Sequence, residues 1–267
     1  MREEKNSKYQ APALDKGLDI LEFLSQGSIP LSQSEIAAGI GRNPNEVYRM
    51  LVRLEERGYI SRDEISSKYK LTLKLYALSH LHSPVDEIRK AAEYPMQQLA
   101  GKLMQSCHLS VIDQDELMVI FQAKSPGPIS LSIEEGARFP LLVTASGPVL
   151  LAGMKASERK KILSRISTYT ELTKEEKTAL DKELARIAAN GYLIRQSELS
   201  IGVTDIVFPI GSRDTGFYAA LTVSMLSIQL NKITSLEEII EVVKETANAI
   251  IQKVGLNIIP DKESAEI

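Results

Sequence analysis

The sequence predicts an α+β protein in two domains: a small helical unit closed by a hairpin, then a larger unit built on a mostly antiparallel sheet. Three observations carry this. The N-terminal quarter holds successive helical apolar periods, the second and third with their own start signals. Beyond residue 105 the texture changes to short apolar runs separated by polar turns. The length, 267 residues, suits two domains at roughly 100–200 residues each.

Residues 1–11 are polar and read as a flexible arm. A helical period then runs through Leu14, Leu18, Leu21 and Phe23–Leu24, and Gly27 stands where a left-handed cap would end it. Ser32 with Glu35 three residues on has the spacing of a capping box. Ile36, Ala37 and Ile40 give that second helix an apolar side, and Gly39 and Gly41 read as its breakers. Asn43 caps the third helix, with Pro44 at its first position and Glu46 at its third. Val47, Leu51 and Leu54, with Met50 beside them, form its apolar stripe, and Gly58 ends it. Residues 59–62 and 68–73 read as a hairpin around a polar tip at 63–67, followed by a helix over 74–81 and a linker at 82–84.

The second domain opens on a helical pattern over 86–105, which Pro95 is expected to kink or divide. Strands are expected at 109–112, 117–121, 129–133, 192–199, 205–210 and 217–225, and helices at 144–154, 157–166, 174–189 and 236–254. The domain limits are therefore 1–11 for the arm, 12–82, 83–256, and a disordered tail at 257–267.

Composition narrows the function. The net charge is −3, so nucleic-acid binding requires a local basic patch. A single cysteine, Cys107, excludes an internal disulfide and suits a reducing cytoplasm. Neither a signal-peptide pattern nor an apolar run of membrane-spanning length occurs, so no membrane partner is expected. Ser146 lies in Ala-Ser-Gly, which is not a nucleophile elbow. His80, His82 and His108 have no catalytic or metal-ligand spacing, and no phosphate-loop or EF-hand pattern is present. The sequence reads as a non-enzyme without metal or cofactor.

Three helices followed by a hairpin form a winged helix-turn-helix pattern, in which the third helix lies in the DNA major groove. Its polar face carries suitable chemistry. Arg42 and Asn43 precede it, and Asn45, Tyr48, Arg49 and Arg53 lie away from the apolar stripe. Arginine reads guanine bidentately and asparagine reads adenine. Arg62, Lys68 and Lys70 on the hairpin are placed to hold phosphates. Between Arg42 and Lys74 eight Lys/Arg face five acids, a positive segment inside a negative chain. A protein-interaction module with surface arginines is the bland alternative, with the chain then acting as a small-molecule sensor through protein partners.

Several stretches are similar to the IclR-type transcription regulators. Ala13-Leu14-Asp15-Lys16-Gly17-Leu18-Asp19-Ile20-Leu21 resembles the opening of that family, and Val47-Tyr48-Arg49-Met50-Leu51 through Gly58-Tyr59-Ile60 resembles its helix-turn-helix and wing entry. Gly136 through Leu141, Thr144-Ala145-Ser146-Gly147, Asn190-Gly191-Tyr192, Gly202-Val203, Phe208-Pro209-Ile210 and Ala219 through Ser224 resemble its later motifs in order. The likeness covers about Ala11 to Leu256. It implies a double-stranded DNA operator, a homodimer or tetramer, and a small-molecule effector in the second domain, commonly an organic, sugar or aromatic acid.

Carried over by position, the effector site comprises Ala145, Ser146, Gly147, Asp205, Thr222 and Ser224, with Arg195 nearby. The helix start at Ala145-Ser146-Gly147 is a reasonable dock for a carboxylate, although Ser146 or Thr144 could equally serve as its cap. Arg195 replaces a common acid, Asp205 a common cysteine, Thr222 a common serine and Pro148 a frequent lysine. Arg195 could pair with a ligand carboxylate or with Asp205. Phe139, Leu141, Leu142, Met118 and Ile120 are apolar lining candidates, each also a plausible core residue.

Overall fold

The structure is a computed structural model that describes residues 11–80, 84–212, 217–226 and 235–254. They form two compact units, divided between Ser83 and Pro84. The arm at 1–10, the linker centre and the tail fall outside the described residues.

The first unit contains α1 (Pro12–Ser25), α2 (Gln33–Gly39), α3 (Pro44–Glu56), β1 (Ile60–Arg62), β2 (Tyr69–Leu71) and α4 (Lys74–His80). Local start signals set its helices. The Ser32 hydroxyl accepts from the Glu35 amide, while the Glu35 carboxylate accepts from the Ser32 amide at 2.7 Å. The Asn43 side chain accepts from the Asn45 amide at 2.9 Å with Pro44 next to it. β1 and β2 pair antiparallel, and Leu31 bridges to Tyr69. Ile20, Leu24, Ile36, Val47, Leu51, Ile60 and Tyr69 form the core.

Two expectations are corrected here, and one is extended. α1 buries Ile20 and Leu24, whereas Leu14 and Leu18 remain 61% and 45% exposed. At about 100° per residue the two pairs lie roughly 120° apart around the helix, and only one stripe can face so small a core. α1 ends on Gln26 in the right-handed region; the left-handed glycines are Gly41 and Gly58, not Gly27. Gly39 is the last residue of α2 and has a packing role beyond that of breaker, since an added Cβ there would stand 2.0 Å from the Phe23 ring.

The second unit contains α5 (Pro84–Leu103), β3 (Ser106–Asp113), β4 (Glu116–Ala123), β5 (Arg138–Pro140), α6 (Ser146–Ala152), α7 (Ala156–Leu163), α8 (Ser167–Thr170), α9 (Lys174–Asn190), β6 (Leu193–Gln196), β7 (Val203–Ser212), β8 (Phe217–Leu226) and α10 (Leu236–Lys253). Its six strands run β5-β4-β3-β8-β7-β6, and every ladder among the described residues is antiparallel. Alternation divides the strands between two cores. Cys107, Leu109, Ile206, Phe208, Leu221 and Val223 pack against α5 and α10. Val207 and Ala220 face the opposite layer, with Val149, Leu150, Leu184 and Ile187 of α6 and α9.

Pro95 does not divide α5, whose buried Ile88, Ala92, Met96 and Leu99 hold one continuous helix across the missing backbone bond. The expected strand at 129–133 is absent, and the edge strand is β5 instead. Pro126 and Pro128 precede that stretch and remove ladder donors. It is held by a side chain, with Gln122 Nε2 donating to the Leu131 carbonyl at 3.2 Å.

Candidate functional sites

On the first unit, α3 turns Asn45, Tyr48, Arg49 and Arg53 outward while Val47 and Leu51 are buried. The expected contact residues divide by what they already bind. Arg42 pairs with Asp19 at 3.1 Å, Arg53 with Glu56 at 2.5 Å and the half-buried Lys68 with Glu35 at 3.6 Å. Surface pairs of this kind contribute about 0–1 kcal/mol, so a phosphate can displace them. Asn43 is committed to capping α3. Arg62 lies over the Tyr69 ring at 5.6 Å. Arg49 is exposed and has no hydrogen bond or ion pair to any described residue, which leaves its guanidinium available to a base edge.

In the second unit a cavity of about 480 Å³ opens on the sheet face beneath the start of α6. Strand register assembles its polar floor. His108 stands opposite Thr222, and Asp205 stands opposite both Ser224 and Arg195. The side chains of His108, Thr222, Ser224 and Asp205 thus share one face, and the start of α6 brings Ala145 and Ser146 over them. Leu117 and Phe139 supply an apolar wall, and the segments around Glu134 and Ser200 form the rim.

The polar groups are buried and mostly paired. Ser146 Oγ and Thr222 Oγ1 share a hydrogen bond of 2.7 Å, and Ser224 Oγ donates to Asp205 Oδ1 at 2.7 Å. Burial pushes the Asp205 carboxyl above its usual range, partly offset by hydrogen bonds from Ser224 and Ser197 and by the Arg195 charge. Burial pushes the His108 imidazole down to about 4, so it is neutral near pH 7. His108 makes no side-chain hydrogen bond to a described residue. Burial pushes the neighbouring Cys107 thiol up to about 12, on the opposite sheet face, where it donates to the Met96 carbonyl.

Two expected effector residues lie elsewhere. Gly147 packs against the Leu141 backbone and does not line the cavity. Arg195 also does not line it: its Nη2 donates to the carbonyls of Val143 and Thr144 at 3.2 and 2.5 Å, and its Nη1 lies 3.6 Å from Glu198. The guanidinium anchors the turn entering α6. Of the apolar candidates, Phe139 lines the cavity, Leu141 and Leu142 belong to the core beneath α6, and Met118 and Ile120 face the other sheet layer. Leu117 takes their place because alternate residues of β4 change face. His108, Glu134, Ser197 and Ser200 escaped the sequence reading. A period-two count from Leu109 along β3 would have found His108, whereas the loop residues carry no local signal.

Among the described residues no helix is long and apolar enough to cross a membrane, and no group of His, Cys, Asp or Glu is placed to hold a metal ion.

Comparison with known proteins adds the family. Residues 81–252 match the bacterial transcriptional regulator IclR C-terminal family, and residues 13–64 match the IclR helix-turn-helix domain. The chain is 25% identical over 221 residues to the HTH-type transcriptional regulator XynR of Escherichia coli, covering 82% of this chain and 88% of that one. It is 27% identical over 229 residues to the E. coli regulator KdgR, covering 85% and 87%. The fold matches that of an IclR homolog from Microbacterium hydrocarbonoxydans, solved with 4-hydroxybenzoate, at a TM-score of 0.72, 21% identity, and coverage of 92% of this chain and all of that one. These relatives are transcriptional regulators rather than enzymes. With both family segments matched in order, and the longer alone spanning most of the chain, the protein belongs to the IclR family of DNA-binding transcription regulators.

Proposed function

We propose that this regulator's affinity for its operator changes when a small molecule occupies the cavity of the second domain. The observation that carries the reading is the cavity itself, a buried polar sheet face that includes an imidazole with no hydrogen-bond partner among the described residues, in a unit separate from the exposed α3 face. The expected domain limits, 12–82 for DNA and 83–256 for the effector, belong to the same proposal. So does a homodimer or tetramer, because paired half-sites need paired readers. The effector acts only through its different affinities for the DNA-competent and DNA-incompetent states. The family resemblance implied an acid as effector, with the start of α6 as its dock and Arg195 open to either the ligand or Asp205. In the structure Arg195 donates to the carbonyls of Val143 and Thr144 and does not line the cavity.

Binding to duplex DNA from upstream of the protein's own gene, measured against unrelated duplex over a salt series, tests the reading. Selective binding that weakens steeply with salt is expected. Equal weak binding to both duplexes, persisting through a genome-wide selection of sites, would sink it.

A pair of variants tests the division of labour. Arg49→Ala should cost roughly 1–3 kcal/mol of specific DNA binding and leave small-molecule binding unchanged. Ser146→Leu should fill the cavity, break the bond to Thr222, and weaken the small molecule at least about tenfold while leaving DNA affinity intact. If each variant damaged both activities equally in equilibrium binding, separate sites could not be maintained.

A further inference from the structure

We infer that the cavity takes an uncharged, hydroxyl-rich molecule, of polyol or monosaccharide type, in preference to a carboxylate. This rests on the reading of the cavity as the effector site and names its ligand class.

The first argument is charge. Among the described residues lining the cavity there is no lysine or arginine, while two carboxyl groups, Asp205 and Glu134, face it. An anion entering would exchange its hydration for two carboxyl groups and no cationic side chain among the described lining residues, an unfavourable transfer. Arg195, across the strand pair from Asp205, does not make up the deficit. Its Nη2 is held by two carbonyls and its Nη1 lies 3.6 and 3.9 Å from Glu198 and Glu183. Its Nε is buried without a partner among the described residues, but the guanidinium stands outside the cavity lining. The start of α6 offers no free anion site at Gly147 either, whose amide donates to Thr144 Oγ1 at 3.2 Å.

The second argument is hydrogen-bond character. Ser146, Thr222 and Ser224 present hydroxyls: Ser224 gives its proton to Asp205 and can still accept, while the Ser146–Thr222 pair keeps one proton to donate and lone pairs to accept. The neutral imidazole of His108 adds one donor and one acceptor, with no hydrogen-bond partner among the described residues. The Glu134 and Asp205 carboxyl groups accept. A ligand hydroxyl is the one common group that can answer all of these at once, donating to a carboxyl while accepting from a hydroxyl or from the ring N–H. The wall formed by Leu117 and Phe139 meets the carbon skeleton of such a molecule. A ligand ammonium would answer only the acceptors. It would also find Asp205 Oδ1 already engaged by Ser224.

The test is calorimetric titration of the full chain with a panel of polyols and monosaccharides. Each is matched to its acid and its amino counterpart, with 4-hydroxybenzyl alcohol and 4-hydroxybenzoate as an aromatic pair. The tightest binder should be uncharged, with its acid counterpart at least tenfold weaker. Asp205→Asn should weaken that uncharged ligand at least tenfold. Glu134→Gln, at an exposed position where folding is not at risk, should narrow the discrimination against the acid. A tightest binder that is an acid or an amine overturns the inference, as does a panel with no uncharged binder. Operator binding is followed in parallel. An acid that binds tightly and shifts operator affinity would overturn the ligand class alone, whereas ligand binding with no change in operator affinity would overturn the effector reading.

Discussion

Gly147→Ala should lower the stability of the second domain by about 3 kcal/mol, because the new methyl has nowhere to go. A Cβ built on Gly147 stands 1.7 Å from the Leu141 carbonyl oxygen and 2.8 Å from its carbon. Both are backbone atoms, and Leu141 is fully buried, so no side-chain rotation relieves the overlap. α6 must separate from the turn at 141–144, and with it Ala145 and Ser146 leave the cavity. A loss of that size corresponds to a fall of roughly 6–12 °C in the melting temperature of a domain this large. Scanning calorimetry gives the value, since the chain lacks tryptophan. Gly101→Ala is the control: that glycine lies exposed in α5 with nothing within 4 Å of the added carbon, and alanine there should be neutral or stabilising by up to about 1 kcal/mol. A change under about 2 °C in Gly147→Ala would mean that the approach of α6 to Leu141 is not as close as described.

The second large effect is on acid stability, through His108. Its imidazole titrates near 6.5 when exposed and is pushed down to about 4 in the folded chain by burial. The unfolded chain therefore binds the proton first. The folded state holds its full advantage above pH 6.5 and loses it progressively as the pH falls toward 4, by about 3 kcal/mol in total. Asp205 works in the opposite direction, since its raised carboxyl pKa lets the folded chain take a proton sooner as the pH falls. The contribution of His108 is isolated by comparison with His108→Asn. Urea midpoints measured between pH 7 and pH 4 should fall steeply in the wild-type second domain and much less in the variant. Parallel curves for the two proteins would show that the imidazole is not buried in neutral form.

How far the sequence reached can be judged element by element. The helix starts at Ser32, Asn43, Thr173 and Ser235 are made by side chains meeting amides two or three residues away, so they are visible in any short window. The two-residue turn between β3 and β4 and the left-handed Gly191 after α9 are equally local. The failures have a different range. The alternating Ile-Ser-Leu-Ser-Ile stretch at 129–133 looked like a strand until its neighbours denied it a ladder, and β5 was too short to show a period. Leu14 and Leu18 repeat as well as Ile20 and Leu24 do, and nothing within α1 says which pair meets the core.

By itself, then, the sequence determined the two-part α+β organisation, the winged helix-turn-helix, the position of α3 with its arginines, and the antiparallel character of the second domain. Those features follow from capping, periodicity and turn chemistry acting over a few residues. The resemblance grouped Ala145, Ser146, Asp205, Thr222 and Ser224, all of which line the cavity; the tertiary structure alone added His108 and set Gly147 and Arg195 outside the lining. Ser146 bonds to Thr222 across 76 positions of sequence, and His108 reaches the same face only because β3 pairs with β8 in one register. A shift of one residue would send that polar row to the opposite core. Arg195 likewise could have met a ligand or an acid on sequence grounds, and the turn at 143–144 claimed it because buried carbonyls need donors.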